Sequence, residues 1–209
     1  MRTLALIKKV MAAETGVPDY SDPMVTRWRN AKGELHRDFG PARVWSDGAT
    51  EWYRHGKLHR EGGPASENID GTKAWWRDGQ LHREDGPAVV KADGTQYWWR
   101  NGELHREDGP AVVKADGTQY WWRNGELHRE DGPAVVQANG TRMWYRNGVL
   151  HRDDGPAFVT ANGALEYRNG KRIPGKTEYA QTGLASEHPK MYTSATPSLD
   201  RTNDPAQDS

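Results

Sequence analysis

"TQYWWRNGELHREDGPAVVKADG", from Thr95 to Gly117, is one copy of a pattern that occupies most of the chain. Its glycine-proline-alanine recurs at Gly40, Gly63, Gly86, Gly109, Gly132 and Gly155, so six copies keep a period of 23 residues without a slip. The same period carries Leu-His-Arg around His36, His59, His82, His105, His128 and His151, and an Asp-Gly or Asn-Gly pair from Asp47 to Asn162. A period of this size is the signature of a solenoid or array of stacked units. Leu81 to Val113 is identical to Leu104 to Val136, a recent duplication, so the diverged copies are the informative ones. In the first copy Trp28 stands one place early. The seventh reads LEYRNGKRIP, lacks one aromatic and stops at Pro174.

Within the unit, TQYWWR is rich in aromatic and β-branched residues and runs into Asn101-Gly102, the strongest short signal for a two-residue type I′ hairpin. With Arg100 and Glu103 flanking that turn, Trp99 opposes Leu104, Trp98 opposes His105 and Tyr97 opposes Arg106, since directly opposed residues share a face. The Trp99 and Leu104 face reads as a core column. The Trp98 and His105 face is equally regular. Position 97 varies as Glu51, Ala74, Tyr97, Tyr120 and Met143, which suggests solvent. Gly-Pro-Ala is expected to bend the chain, its glycine at positive φ and its alanine allowing close backbone approach. Ala111 to Ala115 then forms a short extended segment ending at Asp116-Gly117. The expected fold is all-β: an elongated, twisted antiparallel meander of six to seven 23-residue hairpin repeats.

Composition agrees with an array. Hydrophobic residues make up 34% and the mean hydropathy is -1.00, poor material for a globular core. Ten Trp and eight Tyr supply large buried area per residue, and stacked units need only cover their neighbours. There is no cysteine, which excludes disulfides and thiolate metal sites and fits a reducing, cytoplasmic setting. Twenty-nine basic and 29 acidic residues leave no net field to recruit nucleic acid or an anionic membrane. Leu4, Ile7 and Met11 have helical spacing, so residues 1–25 are read as a short helix and cap, with the array at 26–174. Residues 175–209 are polar and aperiodic and read as a disordered tail.

Tyr97, Trp99, Asn101-Gly102, His105, Gly109 and Asp116-Gly117 at a period of 23 resemble the MORN repeat, in its divergent bacterial and viral form that includes antitoxin-like and immunity-like proteins. The resemblance covers about residues 26 to 174. It implies elongated hairpin sheets used as interaction or scaffold modules. Trp98 stands where the repeat usually has glycine, and His-Arg-Glu-Asp-Gly-Pro replaces a shorter His-Gly-x-Gly segment.

Three chemistries compete for these residues. Six histidines in a column invite metal, but equivalent atoms two strand spacings apart lie near 10 Å, too far to share an ion held within about 2.1 Å. The histidines are therefore expected to stack on tryptophan and bond to a carboxylate or the backbone, with no metal or cofactor. Glu107-Asp108 and its repeats could suggest glycoside hydrolysis, but a catalytic site is unique whereas these recur in every unit, so no enzyme is expected. Arginine ladders could clamp phosphates, but acidic neighbours make internal ion pairs and cation-π contacts the better reading. The expectation is a non-catalytic module that binds another protein, such as a toxin, a defence factor or an assembly partner. Its surface is assigned to Tyr53, Trp76, Trp99, Trp122 and Tyr145 with Arg77, Arg100, Arg123 and Arg146. The alternative is a carbohydrate or cell-surface binder using an exposed aromatic ladder.

Overall fold

The computed structural model describes residues 16–174. The proposed N-terminal helix at Leu4 to Met11 and the tail from 175 lie outside the described residues. Within them the chain is all-β and antiparallel, and the repeat persists as expected. The described part of residues 1–25 belongs to the sheet, because strand Val17–Asp22 pairs with Val25–Arg29 ahead of the array boundary read from the sequence.

The hairpin register is as expected. Trp99 pairs with Leu104 and Arg100 with Glu103. Asn101 and Gly102 both have positive φ, 51° and 81°, which is what a type I′ turn demands and what lets its twist match the strands. His55, Asp78, Asn124, Asn147 and Asn169 repeat the left-handed first position, tolerated because polar Asn, Asp and His enter that region at low cost.

One expectation fails. The elements do not form a single meander, because the strand changes partner at Trp98. Tyr97 does not oppose Arg106 but pairs with Val112 on one side and Val89 on the other. The Trp98 N–H donates to the Ala111 carbonyl at 2.7 Å, while its own carbonyl accepts from His105 N–H at 3.0 Å. Everything from Arg106 to Pro110 is looped out opposite that one residue, and Pro110 has no N–H with which to continue a ladder. The result is two rows. One is a 14-stranded sheet to which a central unit contributes two strands, such as Gln96–Tyr97 and Val112–Val113. At about 4.8 Å per strand it extends roughly 60 Å. The other row consists of six two-stranded hairpins such as Trp99–Arg100 with Glu103–Leu104. Neighbouring hairpins are joined by two backbone bonds, Arg106 N–H to Trp122 O at 3.1 Å and Gly125 N–H to Leu104 O at 3.0 Å.

The core lies between the rows. It contains Trp99, Leu104, Trp122, Leu127 and Tyr145 from the hairpins, with Val89, Val112, Tyr120, Val135 and Met143 from the sheet. Position 97 thus faces the core, not solvent: Ala74, Tyr120 and Met143 are buried, Glu51 and Tyr97 half-buried. Its variability reflects shapes that fit against different neighbours, not exposure. The alanines of Gly-Pro-Ala are fully buried, Ala65, Ala88, Ala111 and Ala134 at 0% exposure, which allows the close approach of Trp98 to Ala111.

The array ends in altered copies. Trp28 holds the place of Trp98, since Trp28 N–H bonds to Ala42 O and Trp28 O accepts from His36 N–H; its early position is absorbed by a longer loop closed between Asn30 and Glu34. In the last hairpin Glu166 and Ile173 replace the tryptophan and histidine, keeping only the backbone bond at 2.9 Å. The outer strand Val17–Asp22 carries Pro18, Asp19 and Asp22 and an irregular register, features that blunt edge-to-edge pairing.

Candidate functional site

Two arginine columns flank each hairpin, and they have different fates. Arg106 follows His105 into the looped-out segment, and its guanidinium lies 4.2 Å from the centre of the Trp98 ring. It also donates through Nε to Asp108 Oδ1 at 3.0 Å and through Nη1 to Pro110 O at 3.4 Å. The stack recurs as Arg37 on Trp28, Arg60 on Trp52, Arg83 on Trp75, Arg129 on Trp121 and Arg152 on Trp144, at 3.9–4.2 Å. This bears out the cation-π reading. It also gives the glycine a reason other than the one expected. Gly40 and Gly155 have the expected positive φ, 142° and 159°, but Gly63, Gly86, Gly109 and Gly132 do not. A β-carbon on Gly109 would instead stand 3.1 Å from Arg106 Cζ, so the guanidinium occupies the space a side chain would need.

The histidines are joints between units. His105 Nδ1 accepts from the backbone N–H of Asn124, the left-handed residue of the next turn, at 3.2 Å. The same bond joins His36 to His55, His59 to Asp78, His82 to Asn101, His128 to Asn147 and His151 to Asn169 at 3.1–3.2 Å. Nδ1 of His105 also lies 2.8 Å from Asn124 Oδ1, and that of His128 lies 2.8 Å from Asn147 Oδ1. Nε2 of His105 is 3.5 Å from Glu107 and that of His128 is 3.6 Å from Glu130. The expected backbone bond is present, and the tryptophan ring is taken by arginine instead of histidine. Among the described residues no group of three or more His, Asp or Glu is placed to hold a metal ion.

The second arginine column faces solvent. Arg77, Arg100, Arg123 and Arg146 are 49–54% exposed and reach Glu84, Glu107, Glu130 and Asp153 at 3.6, 3.9, 3.5 and 3.2 Å. Those carboxylates are 67–72% exposed. Exposed pairs at such distances contribute little to stability, typically under about 1 kcal/mol. Asp85, Asp108, Asp131 and Asp154 are more tightly bound, and the hydrogen bond from the arginine beside each holds its carboxyl below the usual range. Asp93 and Asp116 are lowered for another reason: each accepts the backbone N–H of Thr95 or Thr118 in its turn.

Of the residues assigned to a partner surface, the arginines are exposed and the rings are not. Trp99, Trp122 and Tyr145 are 3–5% exposed, packed between the two rows; Tyr53 and Trp76 are half-buried. Trp99, Trp122 and Tyr145 present no flat face to a ligand. The other aromatic column, Trp52, Trp75, Trp98, Trp121 and Trp144, is half-buried with a guanidinium against each ring. The residues that sequence reasoning left out of the surface are the exposed carboxylates of the looped-out segment. With Arg106, Trp121 and Arg123 they line a groove of about 460 Å³ between two units, repeated on either side at about 670 and 370 Å³. Their signal in the sequence was the Glu-Asp-Gly-Pro segment itself, whose first acid recurs in all six copies while the second gives way to Phe39 and Gly62 in the first two. No protein-family model matches this chain, and no curated protein matches it in sequence.

Proposed function

We propose that this is a non-catalytic, MORN-like repeat protein that binds another protein along its row of charged grooves, as an antitoxin or immunity factor, an anti-defence inhibitor or a scaffold of a bacterium or its virus. One observation carries the reading. Arg77, Arg100, Arg123 and Arg146 and the carboxylates facing them recur unit after unit, half or more exposed, while the other arginine column does the structural stacking. A surface ladder that adds little to folding is available for recognition, where charge complementarity sets partner choice and association rate. Repetition favours binding over catalysis, since each groove offers the same groups as the next. The covered tryptophan rings offer little for sugar stacking, so protein is the favoured partner class. Among the described residues no helix is long and apolar enough to cross a membrane.

The test is affinity capture from a host lysate by the full chain and by Glu107→Arg/Glu130→Arg, with a glycan array run in parallel. A protein retained in stoichiometric amount by the first and lost by the second, at unchanged thermal midpoint, supports the reading. Equal retention by both, or saturable glycan binding with no protein partner, overturns it.

A further inference from the structure

The grooves are periodic, and their period selects a ligand shape. Both rows advance by two strands per unit, so successive grooves lie about 9.6 Å apart. A β-strand brings residues to the same side about every 6.8 Å and falls out of step at the first groove. An α-helix recurs after two turns, about 10.8 Å, and drifts by more than about 2 Å over two steps. A polyproline II helix has three residues per turn and rises about 9.3 Å in that turn. Its drift stays below about 1 Å over the same distance. A chain in that conformation presents every third residue to each groove in turn.

Charge selects the residue presented. Each groove is lined by three arginines and four carboxylates. Two of each groove's three arginines, such as Arg106 and Arg129, lie against tryptophans and are only 26% exposed. The aspartates Asp108 and Asp131 are committed to those arginines at 3.0 Å. The glutamates are held more loosely: Glu107 sits 3.5 Å from His105 Nε2 and 3.9 Å from Arg100 Nη1, Glu130 sits 3.6 Å from His128 Nε2, and Glu84 makes one long hydrogen bond, 3.3 Å, with His82 Nε2. An incoming ammonium or guanidinium can therefore take the glutamate without breaking a strong contact. A preformed polyproline helix also loses little entropy on docking.

We propose that this row of grooves binds a proline-rich polyproline II segment of a protein partner with Lys or Arg at every third residue, one basic side chain per groove, received by Glu84, Glu107 and Glu130. The proposal rests on the protein-binding reading above and names the chemistry of the partner. Fluorescence anisotropy of the full chain with a labelled peptide of four Pro-Pro-Arg triplets tests it, against four Gly-Gly-Arg triplets of equal length and charge. The proline peptide is expected to bind about tenfold tighter, because its bound shape is preformed. Glu84→Gln/Glu107→Gln/Glu130→Gln should weaken it by about tenfold or more with an unchanged circular dichroism spectrum, since these side chains are exposed. Glu107→Gln alone should give a smaller loss, which keeps the test decisive if the triple variant folds poorly. Equal binding of both peptides would mean charge alone and overturn the proposal, as would binding that survives the glutamine substitutions. If neither peptide binds while Glu107→Arg/Glu130→Arg still abolishes capture from lysate, the polyproline assignment falls and the protein-binding reading stands.

Discussion

His105 Nδ1 accepts a hydrogen bond from the backbone N–H of Asn124, one unit further along the array, at 3.2 Å. The bond satisfies a donor that the type I′ turn leaves without a partner inside its own hairpin, and it fixes where the next hairpin sits. Removing the acceptor with His105→Leu should leave that N–H to solvent and cost about 0.5–1.5 kcal/mol. Urea unfolding measures it; a loss below about 0.5 kcal/mol would mean the joint is idle.

Gly109 and Arg106 should behave as a coupled pair. Gly109→Ala places a methyl 3.1 Å from the guanidinium carbon, which must shift over Trp98, at up to about 1 kcal/mol of the cation-π contact. The same substitution made on top of Arg106→Ala should be close to neutral. A double-mutant cycle with no coupling would assign the glycine to backbone conformation instead.

The two tryptophans of one unit should differ. Trp99→Ala opens a cavity between the rows and should cost about 3–5 kcal/mol. Trp98 is half-buried and its truncation should cost less, by at least about 1 kcal/mol. Equal losses in chemical denaturation would contradict the two-row packing.

Acid should loosen the looped-out segments. Asp85, Asp108, Asp131 and Asp154 have carboxyls lowered in the folded chain, first by the hydrogen bond from their arginine, so their contribution is present above the ordinary value of 3.8 and is lost as pH falls through the lower folded value. Replacing all four by Asn should flatten the decline of the thermal midpoint below about pH 4. An unchanged slope would place the acid sensitivity elsewhere.

Much of the local structure was legible because it is decided within a few residues. Asn101-Gly102 can enter the left-handed region at low cost, and that dictates the turn and thereby the pairing of Trp99 with Leu104. The branching at Trp98 was not legible. Nothing local distinguishes a hairpin that continues to Tyr97 and Arg106 from one that stops at His105, because the difference is where the Trp98 N–H finds its acceptor. That acceptor, Ala111 O, becomes available only after five residues have looped out. Which ring is covered was not legible for the same reason, because it depends on the row that folds over it.

The amino-acid sequence by itself determined the period, the turn type, the hairpin register and the pairing of Arg with aromatic rings, all set by short-range sterics and by residues a few positions apart. Tertiary structure alone decided that Trp99, Trp122 and Tyr145 are enclosed while Arg100 and Arg123 remain in water. Burial is a property of two surfaces meeting, and no single repeat contains both.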